Sequence, residues 1–328
     1  MKTGRLAENV WKRSVLKQIK TKREEVVIGA GIGEDCAILS LAKEGLTSVT
    51  MDFAAWQGEK LARYAIHGAV NGLAASGAEP VAVLLSVLLP SDREEAWLRA
   101  LMEEAEGECA DLQIQLAAGQ VTVTEAVNRP LVTVTGIGKS SREDIPSIHR
   151  IVPGLDLVVS KWIGLEGTSI LAGNYREDLL TRYPSRLIEE AKEFDRFLSV
   201  VPEAAIAGKS NVCAMHNAAE GGIFASLWEL AEGAGVGLEI DLKRIPIKQE
   251  TIEVCEFFGI NPYELKSGGC LLVAVDNGWR LVRELEKQQI PAALIGRTTQ
   301  GRDRVVFQGE ERRFLERPKP DELYKVMK

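Results

Sequence analysis

Residues 60–89 read KLARYAIHGAVNGLAASGAEPVAVLLSVLL, and the change of pattern inside that stretch sets the fold class. Over 60–76, Ala62, Ile66, Val70 and Leu73 recur at helical spacing and predict one apolar helix face. Gly77-Ala78-Glu79-Pro80 then stops the helix, because proline cannot extend it and glycine accepts the turn. Residues 81–89 are apolar almost throughout, which predicts a strand covered on both faces. A helix that hands over to such a strand is an α/β unit.

Working outward, the short apolar runs 26–28, 36–39 and 48–51 predict strands before the helix, and Leu6, Val10, Val15 and Ile19 predict an amphipathic helix ahead of them. On the other side, Ser91 or Asp92 is placed to cap a helix reaching about residue 108, followed by strands near 112–117 and 131–137. The polar stretch 140–153 carries two prolines and marks a boundary, giving domains 1–148 and 149–328. Beyond it, strands at 156–160, 212–215, 237–240, 271–275, 292–296 and 304–307 alternate with helices at 165–172, 186–198, 223–232, 249–258 and 279–287. A chain of 328 residues exceeds what one core usually supports, in agreement with two domains.

Forty basic and 47 acidic side chains leave a net charge of -7, with no basic run to follow a phosphate backbone, so nucleic acid is not the expected partner. No apolar run approaches the length of a membrane span, and residues 1–22 hold no secretion-signal core. The five cysteines include no C-x-x-C pair, which suits reduced thiols; the expected setting is the cytoplasm.

Four groups of residues can carry chemistry. Gly29-Ala30-Gly31-Ile32-Gly33-Glu34-Asp35 alternates glycines that let backbone amides approach phosphate oxygens, with Asp35 able to hold a metal bridging them. It matches neither G-x-G-x-x-G nor a P-loop, and an ordinary Gly-rich turn fits it equally. Asp52 follows a strand end, where it can meet a ligand or cap a turn. Arg63, His67 and Asn71 form an i, i+4, i+8 polar stripe in which His67 is either a proton carrier or a hydrogen-bonded structural group. Met215-His216-Asn217-Ala218-Ala219-Glu220-Gly221-Gly222 precedes a helix, and its free amides make either an anion seat or a plain helix entry.

Taken in order, these pieces resemble the ATP-dependent superfamily of aminoimidazole ribonucleotide synthetase, thiamine-monophosphate kinase, selenophosphate synthetase and the hydrogenase maturation dehydratases, most closely its AIR synthase-related, hydrogenase maturation factor-like members. The resemblance rests on Gly31 to Ala37, Ile66 to Ala74, Gly77 to Pro80, Asn128 to Gly136, Lys161 to Thr168 and Ala214 to Gly222. It implies a two-domain AIR synthase-like α/β fold, whose N-terminal domain pairs its sheet with that of a second copy in a homodimer. It also implies ATP in a cleft between the two copies, under the Gly-rich loop. Carried over by position, Gly29, Gly31, Gly33, Asp35, Asn71, Gly119, Gln120, Asn217, Gly221 and Gly222 would line the nucleotide, and Asp35 and Asp52 would hold Mg²⁺. Asp52, His67 and His216 are the catalytic candidates. The implied reaction activates a small carbonyl, amide or phosphate substrate.

The sequence also departs from the pattern. Asn71-Gly72 stands where relatives usually carry Asn-Asp, Gln120-Val121 where they carry Asp or His followed by Thr, and His216-Asn217 where they carry His-Asp. Neutral groups at three metal-competent positions leave phosphate charge less compensated. The hydrogenase dehydratases also end in a reactive cysteine, whereas the last cysteine here is Cys270. A catalytically degenerate, nucleotide-sensing or partner-binding protein is therefore the alternative.

Overall fold

The computed structural model describes residues 9, 12, 24–29, 31–41, 45–56, 58–141 and 145–327. The helix expected from Leu6, Val10, Val15 and Ile19 lies outside them. Two mixed sheets organise the chain as a two-domain α/β protein.

The first sheet contains β1 (Val26–Ile28), β2 (Ala37–Leu39), β3 (Leu46–Ala54), β4 (Glu79–Leu89), β5 (Gln115–Val123) and β6 (Leu131–Ser140), in the order β1-β2-β3-β6-β4-β5. Only β4 and β5 run parallel. One face is covered by α1 (Leu61–Ala75) and α2 (Glu95–Asp111). The N-cap of α2 is Glu94, without a side-chain cap bond, so neither Ser91 nor Asp92 caps it.

The second sheet has β7 (Asp156–Ser160), β8 (Ala214–Asn217), β9 (Gly237–Asp241), β10 (Leu271–Val275), β11 (Ala292–Thr299), β12 (Arg304–Gln308) and β13 (Glu311–Phe314), in the order β13-β12-β9-β11-β7-β10-β8. The second half also carries α3 (Leu165–Asn174), α4 (Arg176–Leu180), α5 (Ser185–Lys192), α6 (Val201–Gly208), α7 (Gly222–Ala234), α8 (Gln249–Phe258), α9 (Gly278–Lys287) and α10 (Leu323–Val326); α6, α7 and α9 pack on the sheet, while α3, α4, α5, α8 and α10 join the cluster around α1. The helix expected over 186–198 is instead α5 followed by a 3₁₀ turn at Glu193–Phe197. Strand β8 runs two residues past its expected end, which draws His216 and Asn217 into the sheet.

Helix α1 is buried along its whole length except at Arg63 and Gly68. A helix buried all round must sit between two layers. Its Leu61, Ile66 and Val70 join Val83, Leu85 and Val87 of β4, Val132 and Val134 of β6, and Ile170, Leu171, Ile188, Leu198 and Leu265 from the second half in one apolar cluster. The two domains therefore share a core, and α1 is its axis. A second cluster fills the space between the C-terminal sheet and Ile223, Leu227 and Leu230 of α7.

The opposite face of the first sheet is bare. Met51 and Phe53 of β3 are 68% and 47% exposed, and they stand across from Thr135 and Thr133 of β6. In β4, Val83, Leu85, Val87 and Leu89 are buried while Ser86 is exposed and Leu84 and Leu88 are half-buried. Among the described residues of the single chain, helices cover one face of β4 only, so the cover expected on both faces is not supplied by them. No helix among the described residues is long and apolar enough to cross a membrane.

Candidate functional site

The Gly-rich segment is carried from β1 to β2 and laid against the second domain. A Cβ on Gly33, whose φ is +79°, would stand 3.0 Å from the carbonyl oxygen of Glu229 in α7. Glycine is required for that approach, since other residues adopt this backbone region at a cost. The contact places Asp35 beside β8. His216 donates from Nδ1 to Asp35 Oδ2 at 2.7 Å and from Nε2 to Glu229 Oε2 at 3.3 Å, and the Asn217 amide approaches Asp35 Oδ2 at 3.4 Å. Burial alone would depress the imidazole, but Asp35 and Glu229 outweigh it and hold its pKa up at about 10. Thr50 Oγ1 donates to the Asp35 carbonyl at 3.1 Å, fixing the segment to β3 as well. Asn217 Oδ1 is buried without a hydrogen-bond partner among the described residues.

A second group of charges lies where β3, α3, α7 and the 319–327 segment meet. Asp52 lies on the helix-facing side of β3, and a Cβ on Gly68 of α1 would collide with its carboxylate. Glu166, in the first turn of α3, is 4% exposed, and Lys266 Nζ is 3.3 Å from its Oε1. Burial lifts the Glu166 carboxyl to about 7 against the pull of Lys266. Lys266 is itself held charged: burial opposes the charge, and Glu166, Asp52, Glu220 and Asp321 overcome it. Asp321 accepts the Gly221 amide at 2.6 Å and the Leu323 amide at 2.8 Å. Burial raises its pKa to about 6.

The residues singled out from the sequence divide accordingly. Asp35, His216 and Asn217 are brought into contact, and Asp52 lies one helical turn away along the same face of α1, which meets Asp52 at Gly68 and the Asp35 carbonyl at Gly72. The anion seat expected at Gly221 and Gly222 is filled by the chain's own Asp321 carboxylate. Asn71 is 1% exposed and fully used: Nδ2 donates to the Leu198 carbonyl at 2.7 Å, and Oδ1 accepts the Val200 amide at 2.9 Å. His67 Nε2 donates to Glu108 Oε2 at 3.1 Å, and Arg63 pairs with Glu108 and Asp195. The polar stripe on α1 is thus a seam to α2 and the 195–200 segment. Gly119 and Gln120 lie on edge strand β5, three strand spacings or about 14 Å from β3. Within one chain they are not joined to Asp35 or Asp52. Gly29 and Gly31 have no positive φ, and the Gly31 carbonyl accepts the Glu34 amide at 3.4 Å.

Glu166, Glu229, Lys266 and Asp321 did not stand out in the sequence. An acid in the first turn of a helix is a weak signal for Glu166; the others sit in a helix middle, a loop and the 319–327 segment with no spacing to mark them. A surface cavity of about 1020 Å³ bordered by Trp162, Phe197, Lys209 and Arg280 touches none of the residues singled out as site candidates.

The residues do not fit a divalent metal. No group of three or more His, Cys, Asp or Glu side chains is arranged to hold one among the described residues. Asp35 already faces a charged imidazole, and the Asp52 neighbourhood already contains the Lys266 ammonium.

Family models described as AIR synthase related protein, N-terminal domain, and AIR synthase related protein, C-terminal domain, match residues 33–140 and 152–308. A Methanocaldococcus jannaschii protein named for hydrogenase expression and formation is 25% identical over 98% of this chain and 97% of its own. The carbamoyl dehydratase HypE of Rhodobacter capsulatus is 27% identical over 75% of this chain and 70% of its own. Among solved structures, a HypE-HypF complex superposes with a TM-score of 0.74 at 20% identity, covering 94% of this chain and 99% of that one. HypE in complex with ATP gives 0.68 at 18% identity, covering 98% and 97%. At these identities the structural likeness is one of fold.

Proposed function

The chain belongs to the AIR synthase related family, and from that premise we propose that it is an ATP-binding protein that activates a small carbonyl, amide or phosphate substrate at the seam between its two domains. The observation that carries this reading is the convergence there of groups from both halves: Asp35 and Asp52 from the first, His216, Glu166 and Lys266 from the second. In this reading the His216 imidazolium and the Lys266 ammonium, each now paired with a carboxylate of the chain, turn to the phosphate oxygens and compensate their charge. A relative in complex with ATP supports the choice of nucleotide. No step is assigned to a bound metal, since the residues do not fit one.

Cysteine chemistry does not support a thiol-dependent version of this reaction. Burial raises the pKa of Cys36, Cys255 and Cys270 to about 12 and that of Cys109 to about 11, and it raises Cys213 as well. At neutral pH these groups remain thiols, and the thiolate is the nucleophile.

We place the division between the domains at 148/149, between the last strand of the first sheet and the first of the second. We also propose a cytoplasmic homodimer formed through the bare face of the first sheet, where Met51 and Phe53 are exposed. The test of the nucleotide reading is thermal unfolding with ATP, with ADP and with buffer alone. Ligand at about a hundred times its dissociation constant stabilises the native state by about 2.7 kcal/mol, a rise of a few degrees for domains of this size. The expected result is such a rise with ATP, lost in Asp52→Asn. No rise up to millimolar ATP overturns the reading.

The alternative, a protein that binds a partner and performs no chemistry, is favoured by one observation: Asp35 and the α7 start are both occupied by the chain's own side chains. A relative caught in a HypE-HypF complex agrees with it. A retained ATP shift without ADP formation across carbonyl and amide substrates would decide for this alternative.

A further inference from the structure

Lys266 is placed with unusual firmness for a lysine in a loop. Its carbonyl accepts the Gly167 amide at 2.9 Å, which ties it to the start of α3. The next residue is fixed from two sides. Ser267 donates its amide to the Ala219 carbonyl at 3.1 Å, and its hydroxyl oxygen accepts the Gly164 amide at 2.8 Å. Gly268 must lack a side chain, because a Cβ there would run into the Glu166 carboxylate. The loop is therefore shaped to bring Lys266 and Glu166 together at 3.3 Å. On its other side the ammonium lies 5.9 Å from the centre of the Trp56 ring, within range of the ring's negative face.

The Glu166 carboxylate contacts this ammonium at 3.3 Å, and Asp52, Glu220 and Asp321 add to the negative field that keeps it charged. Buried acids gathered from distant points of the chain require a compensating cation. In sites that handle nucleotide phosphates that cation is commonly a hydrated divalent ion bound through one or two carboxylates. Here the Lys266 ammonium already stands 3.3 Å from the Glu166 carboxylate, so a divalent ion at that carboxylate would face a fixed like charge.

We propose that Lys266 is the resident cation of this cleft, replacing a divalent metal among Asp52, Glu166, Glu220 and Asp321 and meeting the phosphate of an anionic ligand directly. The part concerning phosphate rests on the nucleotide reading above; the part concerning the metal does not. A lysine is a compact point charge with rotatable donors, suited to phosphate oxygens without demanding octahedral geometry.

The test uses the full chain and two probes. Mn²⁺ alone is titrated and its free signal followed by electron paramagnetic resonance, and the ATP-induced rise in unfolding temperature is measured in Mg²⁺ and in EDTA. The wild type is expected to take up no Mn²⁺ at micromolar concentrations and to show the same ATP shift in both buffers. Lys266→Met is expected to acquire one Mn²⁺ per chain and to lose the ATP shift seen in EDTA. The Glu166→Gln/Lys266→Met double variant should lose that Mn²⁺ again. One tight Mn²⁺ on the wild type that Asp52→Asn removes overturns the proposal, as does an ATP shift that vanishes in EDTA, or a folded Lys266→Met that binds no Mn²⁺. If Lys266→Met does not fold, the two wild-type measurements decide alone. An absent ATP shift in both buffers overturns the nucleotide reading and leaves the Mn²⁺ titration to decide the role of Lys266.

Discussion

At His216 burial and charge pull in opposite directions, and the outcome is a pH dependence with a definite sign. An imidazole with a pKa near 6.5 in the unfolded chain and about 10 in the folded one binds its proton more tightly when folded. Its contribution to stability is complete below about pH 6.5 and is lost as the pH rises through about 10. Urea unfolding of the wild type should therefore show stability falling across that window, and His216→Gln should show a flatter profile. An unchanged slope in the variant would mean that the Asp35–His216–Glu229 contacts contribute no linkage. Asp35 and His216 were legible as isolated polar residues beside glycines. Their pairing was not, because it joins a loop residue to a strand residue 181 positions away and depends on how α1 seats the two domains. Asn71 shows the same limit from the other direction: its place in a polar stripe suggested a ligand, but tertiary packing gave both of its amide groups to the 198–200 backbone.

Among the elements, α1 and β4 were readable almost to their ends, since α1 combines a strong period with a stop at Gly77 and β4 is a continuous apolar run, although β4 starts at Glu79 and takes in Pro80. The elements that sequence reading missed, α4, α6, β13 and α10, are short and carry little periodicity. The residues VPEAAIAG of α6 did offer one signal, a proline in the first turn. The start of α7 makes the sharpest demand on sequence. Gly222 has φ +65°, and a Cβ there would lie 2.5 Å from the Tyr263 carbonyl oxygen and 2.7 Å from that of Leu265. Gly222→Ala must therefore strain the backbone and push two main-chain segments apart, and it is expected to cost about 3 kcal/mol, read as a lowered urea midpoint. Gly235→Ala makes a useful companion at the other end of α7. Its φ is also positive, but nothing lies near its Cβ, so it should cost only the conformational part, about 1 kcal/mol. Equal losses in the two variants would show that close approach at Gly222 is not what the helix start requires.

For the whole molecule, the two-domain α/β plan followed from alternation and length, whereas the sharing of one core by both halves did not. Periodicity reports which face of an element is apolar but not which partner covers it, and α1 is covered by both domains. The same limit applies to β4, whose second face carries the half-buried Leu84 and Leu88 and the exposed Ser86 in the single chain. Phe53→Glu places a charge on that face at a site 47% exposed in the single chain. It should convert a dimer to a monomer in light scattering while leaving the far-ultraviolet circular dichroism unchanged; a wild type that is already monomeric would overturn the proposed pairing. The Asp321 carboxylate on the Gly221 amide has a consequence in time. Domains are completed from the N-terminus onward during synthesis, and here the first residue of the cleft is made early while the group that closes the α7 start comes 100 positions later. Until residue 321 has left the ribosome, the Gly221 amide lacks its carboxylate partner, so this end of α7 is among the last parts of the nascent chain to mature.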